Sequence, residues 1–550
     1  MEYRLLQTEE MIKSQVSDDL YDLKGARGLF DPLRFVVRLK PEMYRVLEQL
    51  ASGTHAVAHA DRAAVDAFST YLHETLHWWQ HIGSTAGLML SFSSLAKTHI
   101  NRRHLAWLLE NIGPRKSLKS FDSLHHGSLT SEQRYHLNIV LNNWHDLEFN
   151  WRIIVNPQRI RSVIDSPYFE SVGHSLQIGL AHTIWMLAAT FDREFSILPD
   201  IRKWEAPFDQ LRADRVEGFY YGSPVRLSPV GALHIFEGQA RFSQLQYLYL
   251  ANQGRLAWSD FRRQGMLGDR YIHAFDFFRS ALGIDWPASP VSAEVQLFLL
   301  LCDLAINPSD GYPFDLRHFE SFVISNDPGV RFYLFCRQIK ENPSLRTAIS
   351  SCSKQEYEEV SSVLCRPLVC ATPVEVSREI VRWCSVNETL KGLLTEEATS
   401  NFPNENLPVR ICFAKHLLYA ADKLKYPEFY CWPAMFIVDH GMWPVNLNET
   451  LRLFSQHQPL FLAMGDGEIR PALFVNKTLE NVYQAFNNFY MWIVHYDLVD
   501  QWTVQDGKFD LDLTEISPAF TPDTVKPQVD PHFRQLWGVS LDDFVLLPRT

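Results

Sequence analysis

The sequence predicts a mainly α-helical fold with a small β component, of the α+β class. Three observations carry that expectation. Apolar residues recur at helical spacing through long segments, as with Leu137, Val140, Trp144, Leu147 and Trp151 within Ser131–Val155. Alternating, β-branched runs are few and short, at Leu33–Leu39 and Val225–Leu227. Gly113-Pro114 and Ser228-Pro229 punctuate the helical text. The first is a stop; the second is a start, with serine as the cap and proline at the first helical position.

In chain order, residues 1–30 are polar and mixed and read as a loosely packed lead-in. Leu33–Leu39 is a strand and Pro41–Leu50 a short helix. Asp61–Ile82 is a longer helix: Asp61 can cap it, Val65, Phe68, Leu72, Leu76 and Trp79 supply its apolar pattern, and Gly83 is placed to end it. Leu88–Leu109, Ser131–Val155 and Gly173–Phe191 read as further helices, and Ser228–Leu250 as another with Gly254 just past its end. Beyond Pro287–Pro290 the text is again mostly helical, with a polar insertion over Thr395–Pro408. The four prolines between Ser517 and Pro531 imply an extended segment. A chain of 550 residues exceeds one small core, so a division into 1–288 and a helical region 289–550 is expected.

Composition narrows the function class. Hydrophobic residues make up 46% and charged ones 21%, the balance of a folded globular protein. The net charge of −12 argues against nucleic acid or an anionic membrane as the partner. The longest apolar stretches, Val295–Ile306 and Ile178–Ala189, are too short to span a bilayer. Met1–Glu10 lacks the apolar region of a signal peptide, and all eight cysteines lie from Cys302 onward without a Cys-x-x-Cys pair. Reduced thiols and a cytoplasmic location are therefore expected.

The chemistry-bearing stretch is His73-Glu74-Thr-Leu-His77, inside the Asp61–Ile82 helix. One helical turn separates His73 from His77, so both imidazoles share a face and can reach one metal ion. Glu74 sits beside them, where a carboxylate can take the proton of a metal-bound water. The motif arises by chance in roughly one chain in twenty of such composition, so it needs context. A packed helix with satisfied histidines is the plain alternative, but two histidines and a glutamate on a buried face are costly without a partner.

A catalytic zinc needs a third protein ligand. His81 continues the histidine row but drifts along the helix, and reads as a packed residue. Glu237 is the stronger candidate, in Leu233-His-Ile-Phe-Glu237-Gly-Gln-Ala240-Arg241, where an apolar helix makes a lone carboxylate expensive. The competing reading pairs Glu237 with Arg241, one turn on. If Glu237 is a ligand, Gly238 and Ala240 should lie at the contact with the histidine helix, and Arg241 should point away. Both histidines should then donate their second ring nitrogen to an oxygen.

His73-Glu74-x-x-His77 followed by Glu237-Gly-x-Ala240 on a later helix resembles a zincin metallopeptidase of the gluzincin type. That resemblance implies a zincin-like domain, zinc (Zn2+) as cofactor on His73, His77 and Glu237, Glu74 as general base, and hydrolysis of a peptide bond in a protein or peptide substrate. It covers residues 60–250, and the family's oxyanion-stabilising residue has no match beyond Tyr221, His234 and His273. Two other readings stay beside it: a non-catalytic, metal-stabilised binding or interaction protein, and a di-iron carboxylate bundle, which needs a second Glu-x-x-His that the chain lacks. No Gly-x-Ser-x-Gly or phosphate-binding glycine loop supports a different hydrolase.

Overall fold

The computed structural model describes residues 27–51, 62–438, 446–464, 466–474, 477–514 and 517–548. Helices dominate, as expected, and the β component among the described residues is a four-stranded sheet plus one two-stranded pairing of Arg115–Lys116 with Val545–Leu546. In the larger sheet, β1 (Gly28–Asp31) runs antiparallel to β2 (Val36–Leu39). β2 runs parallel to β3 (Phe461–Ala463), which is antiparallel to β4 (Ile469–Pro471). The strand expected at Leu33–Leu39 is thus shortened to Val36–Leu39. Asp31 Oδ1 accepts from the Leu33 and Arg34 N–H groups at 3.0 and 3.1 Å and turns the chain before β2 begins.

The sheet covers one side of α1 (Arg62–Gly83), the helix that carries the histidines. This helix is buried on nearly all faces, so its polar residues must find partners in the protein interior. The cap expected at Asp61 lies outside the described residues. The helix does end at Gly83, but not through a left-handed turn: a side chain there would strike the Tyr419 ring. Ser84 then caps α2 (Thr85–Ile112), accepting from Gly87 N–H at 3.0 Å while donating to Gln80 O at 2.6 Å. Gly113, with φ of 76°, ends α2 as the Gly-Pro pair implied.

α3 (Ser131–Val155) matches its expected bounds, opened by a Thr130/Gln133 capping box, and α4 (Val172–Phe191) packs along it. The glutamate helix, α5 (Ala232–Ala251), starts later than Ser228-Pro229 suggested. A Cβ on Gly231 would lie 2.5 Å from Val155 O and from Pro157 Cδ, and one on Gly329 would strike Val230 O. That close packing surrounds Gly231, which is extended, with φ of −117° and ψ of 179°. Val225–Leu227 is not a strand either; Val225 and Leu227 pack on a small apolar cluster around Phe149 and Phe169.

α5 crosses α1 and is backed by α6 (Asp269–Leu282) and α7 (Ala293–Ala305). From the other side, α8 (Leu407–Lys425) reaches α1, where His416 Nδ1 donates to Ile82 O at 2.8 Å. Trp79 Nε1 donates to His457 O at 2.8 Å. One apolar core therefore runs from Phe30 to Phe544. The segment after Ser517 departs from expectation: α9 (Pro522–Trp537) is a helix containing Pro527 and Pro531. Its buried Val525, Val529 and Phe533 recur every fourth residue and offset the backbone bonds the prolines remove. All eight cysteines are free thiols, and no helix among the described residues is long and apolar enough to cross a membrane.

Candidate metal centre

The crossing of α1 and α5 brings His73, His77 and Glu237 together. His73 Nε2 and His77 Nε2 are 3.2 Å apart, and Glu237 Oε2 lies 3.4 Å from the first and 3.5 Å from the second. These three atoms form a nearly equilateral triangle. Four tetrahedral ligands bonded to zinc at about 2.0–2.1 Å stand about 3.3–3.4 Å from one another. The triangle therefore has the edge length of a three-ligand zinc face. Glu237 Oε2 is buried and makes no hydrogen bond among the described residues, the condition of a ligand atom aimed at a cation.

Glu74 completes the group from the side. One ligand-type atom from each of His73, Glu74 and His77 falls within 4.8 Å of the others. Glu237 approaches the two ring nitrogens more closely, so Glu237 closes the triangle and Glu74 stands next to it. β1 passes directly over Glu74: a Cβ on Gly28 would lie 2.8 Å from Glu74 Cγ and Oε1. Burial raises the Glu74 carboxyl to about 7, against the opposing pull of His77, Arg241 and the Phe30 N–H.

The other three groups divide the charge among them. Burial pushes Glu237 upward, but the two histidines outweigh it and hold the carboxyl well below its usual range. Burial pushes His73 down to about 3. His77 also feels burial, yet Glu237, Glu74 and Gln80 raise it overall. A metal ion bound at the triangle would compete with any proton held there.

Gln80 joins the two helices of the site. Its Oε1 accepts from His77 Nδ1 at 2.8 Å, which leaves His77 Nε2 to face the triangle. Its Nε2 donates to Phe236 O and to Gln239 Oε1, both at 2.9 Å, on either side of Glu237. His73 departs from expectation: its buried Nδ1 has no partner among the described residues. His81 is packed, as read from the sequence, with Nδ1 3.0 Å from Ser91 Oγ and its ring against Phe30 and Phe236.

Two expectations for α5 are overturned. A Cβ on Gly238 would meet Phe298 and Ala274, so Gly238 faces α7 and α6 rather than α1. Arg241 does not point away; it lines the same cavity as the histidines. Nor does it pair with Glu237, whose near neighbours are the His73 and His77 rings and, at 4.0 Å, the Arg270 guanidinium. Tyr221, His234 and His273 do not serve the site. Tyr221 is 75% exposed, His234 Nδ1 accepts from Gly231 N–H, and His273 Nε2 bonds Pro229 O.

A cavity of about 220 Å³ opens beside the triangle, walled by Arg27–Phe30, by Arg241 and Gln244 of α5, and by Met266, Arg270 and Tyr271. Sequence reasoning missed Gln80, Gly28, Arg270 and Tyr271. Gln80 was within reach, being one turn after His77 on the same face. Arg270 and Tyr271 carry no local signal, because only the packing of α6 on α5 brings them here. No protein-family model matches this chain, and no curated protein or solved structure is similar to it.

Proposed function

We propose that the chain is a zinc-dependent hydrolase of peptide bonds. The observation that carries this reading is the triangle of His73 Nε2, His77 Nε2 and Glu237 Oε2, with edges of 3.2, 3.4 and 3.5 Å, beside a buried glutamate. A zinc ion bound there would polarise a carbonyl and make water acidic enough to lose a proton near pH 7. Glu74, buried beside the triangle, would take that proton and return it to the leaving amine. Gln80 keeps His77 in the tautomer that a metal requires.

The peptide substrate is supported by the cavity wall. Among the described residues β1 is the outermost strand of its sheet, and Arg27–Phe30 line the cavity. An extended peptide can lie along that edge as an added strand, its backbone aligned beside Glu74. The free thiols support a reducing compartment, the cytoplasm. The rival reading, a metal-stabilised binding protein, keeps the triangle but gives Glu74 no task.

Elemental analysis and peptide turnover test both readings. Purified protein should hold about one zinc per chain, and the His73→Ala/His77→Ala double variant none. Glu74→Gln should keep the zinc and lose turnover about a hundred- to ten-thousand-fold. Stoichiometric zinc in the double variant would end the assignment of the centre; full turnover by Glu74→Gln would end the assignment of the base.

A further inference from the structure

Although the chain carries a net charge of −12, three arginines, Arg27, Arg241 and Arg270, line the cavity against two carboxylates, Glu74 and Glu237. Arg241 is the informative member. Its guanidinium carbon lies 3.7 Å from the centre of the Tyr271 ring, and its Nη1 donates to Gln244 Oε1 at 2.5 Å. Gln244 is itself held, donating from Nε2 to Ser69 Oγ at 3.1 Å. Ring and amide orient the cation without neutralising it. Among the described residues Arg241 forms no ion pair, and its buried Nε has no acceptor. A half-buried guanidinium held this way costs stability unless an anion reaches it. Glu237 is committed to the triangle, where a divalent metal would take up its charge, and Glu74 influences Arg241 without forming an ion pair with it, so among the described residues the guanidinium has no anion in direct contact.

We propose that Arg241, its plane held by Tyr271 and Gln244, receives a carboxylate of the substrate. This deepens the hydrolase reading and rests on it. Planar, oriented guanidinium suits a planar carboxylate, which it can grip with two parallel hydrogen bonds. The position follows from Tyr271, whose ring is 6.0 Å from that of His73 on one side and beneath Arg241 on the other. An extended peptide advances only about 3.3 Å per residue. The carboxylate therefore belongs to a residue flanking the bond to be cut, either an Asp or Glu side chain or the chain's own C-terminal carboxylate.

The test uses metal-anchored probes and reads binding, not turnover. Short hydroxamates bearing a carboxylate, carboxamide or ammonium tail are titrated calorimetrically into the zinc-loaded full chain. The carboxylate tail should bind about tenfold tighter than the carboxamide, with the ammonium weakest. Arg241→Gln should keep its zinc and lose that ranking, and Arg241→Lys should restore part of it. Equal affinities in the wild type, or a ranking that survives in zinc-bearing Arg241→Gln, overturn the proposal while leaving the hydrolase reading intact. Absence of zinc from the wild type removes both. If Arg241→Gln does not fold, salt decides: the preference must shrink as ionic strength rises from about 50 to 500 mM, and a salt-independent preference overturns it. Matched peptides with free or amidated C-termini, and with or without internal Asp and Glu, then separate the two sources of the carboxylate.

Discussion

Replacing Gln80 by leucine removes three hydrogen bonds at once while roughly preserving volume. They run to His77 Nδ1, Phe236 O and Gln239 Oε1, at 2.8, 2.9 and 2.9 Å. At about 1 kcal/mol net for each, the folded protein should lose about 3 kcal/mol. The share that belongs to His77 should appear separately, as zinc affinity. Freed from Gln80, the imidazole can turn and can place its proton on the nitrogen that faces Glu237. Losing such a partner weakens metal binding about 10- to 100-fold, equivalent to about 1.4–2.8 kcal/mol. Gln80→Glu makes the contrast. A carboxylate still accepts from His77 Nδ1, so zinc affinity should stay within about threefold of wild type. It cannot donate to Phe236 O or Gln239 Oε1, so stability should fall by about 2 kcal/mol, the share of those two bonds. Zinc affinity is read by competition with a chelating dye, and stability by urea denaturation of the metal-free protein. Wild-type zinc affinity in Gln80→Leu would refute the reasoning, since Gln80 would then join the helices without orienting His77.

Two further outcomes follow from particular residues. Gly28→Ala puts a methyl group 2.8 Å from Glu74 Cγ and Oε1 and 2.9 Å from Leu39 Cδ2, so it should displace Glu74 and cut turnover with zinc content unchanged; an alanine variant with wild-type turnover would show that β1 does not position the base. Metal-free protein should lose stability as pH falls from about 6.5 toward 4: burial pushes His81 down to about 3 and His416 to about 4, so the unfolded chain binds their protons first. Glu74, raised from 4.5 to about 7, opposes this through most of the window because its folded form is the first to be protonated, but it is one group against the two histidines. Urea midpoints at pH 6.5, 5.5 and 4.5, all about evenly spaced across that window, should decrease in that order, and a rise would contradict the assigned signs.

Much of the site was legible because the sequence acts locally. Helical periodicity alone places His73 and His77 on one face with Glu74 beside them, whatever the helix packs against. Glu237 was legible for a different reason: a carboxylate in an apolar helix needs a partner, and the chain's paired histidines are the natural one. The bounds of Ser131–Val155 were equally open to reading, since caps and apolar spacing agree there.

What the sequence left undetermined is how each helix is rotated and what it meets. The spacing of Gly238 and Arg241 relative to Glu237 is set by the helix, but which neighbour each faces is set by packing. α6 and α7 take the Gly238 side, and Arg241 is turned into the cavity. Tertiary contact also overrode local propensity at both ends of the argument. Close backbone packing on Gly231 delays the start of the glutamate helix past its serine-proline signal. Burial of Val525, Val529 and Phe533 keeps a helix where prolines would break one. The sequence alone determined the two histidines, the glutamate between them and the need of Glu237 for a partner; the tertiary structure decided that this partner is the histidine pair, and added the brace from Gln80 and the arginines around the cavity. Periodicity is a property of neighbours along the chain, whereas the cavity is made by residues that only burial of the shared core brings into contact.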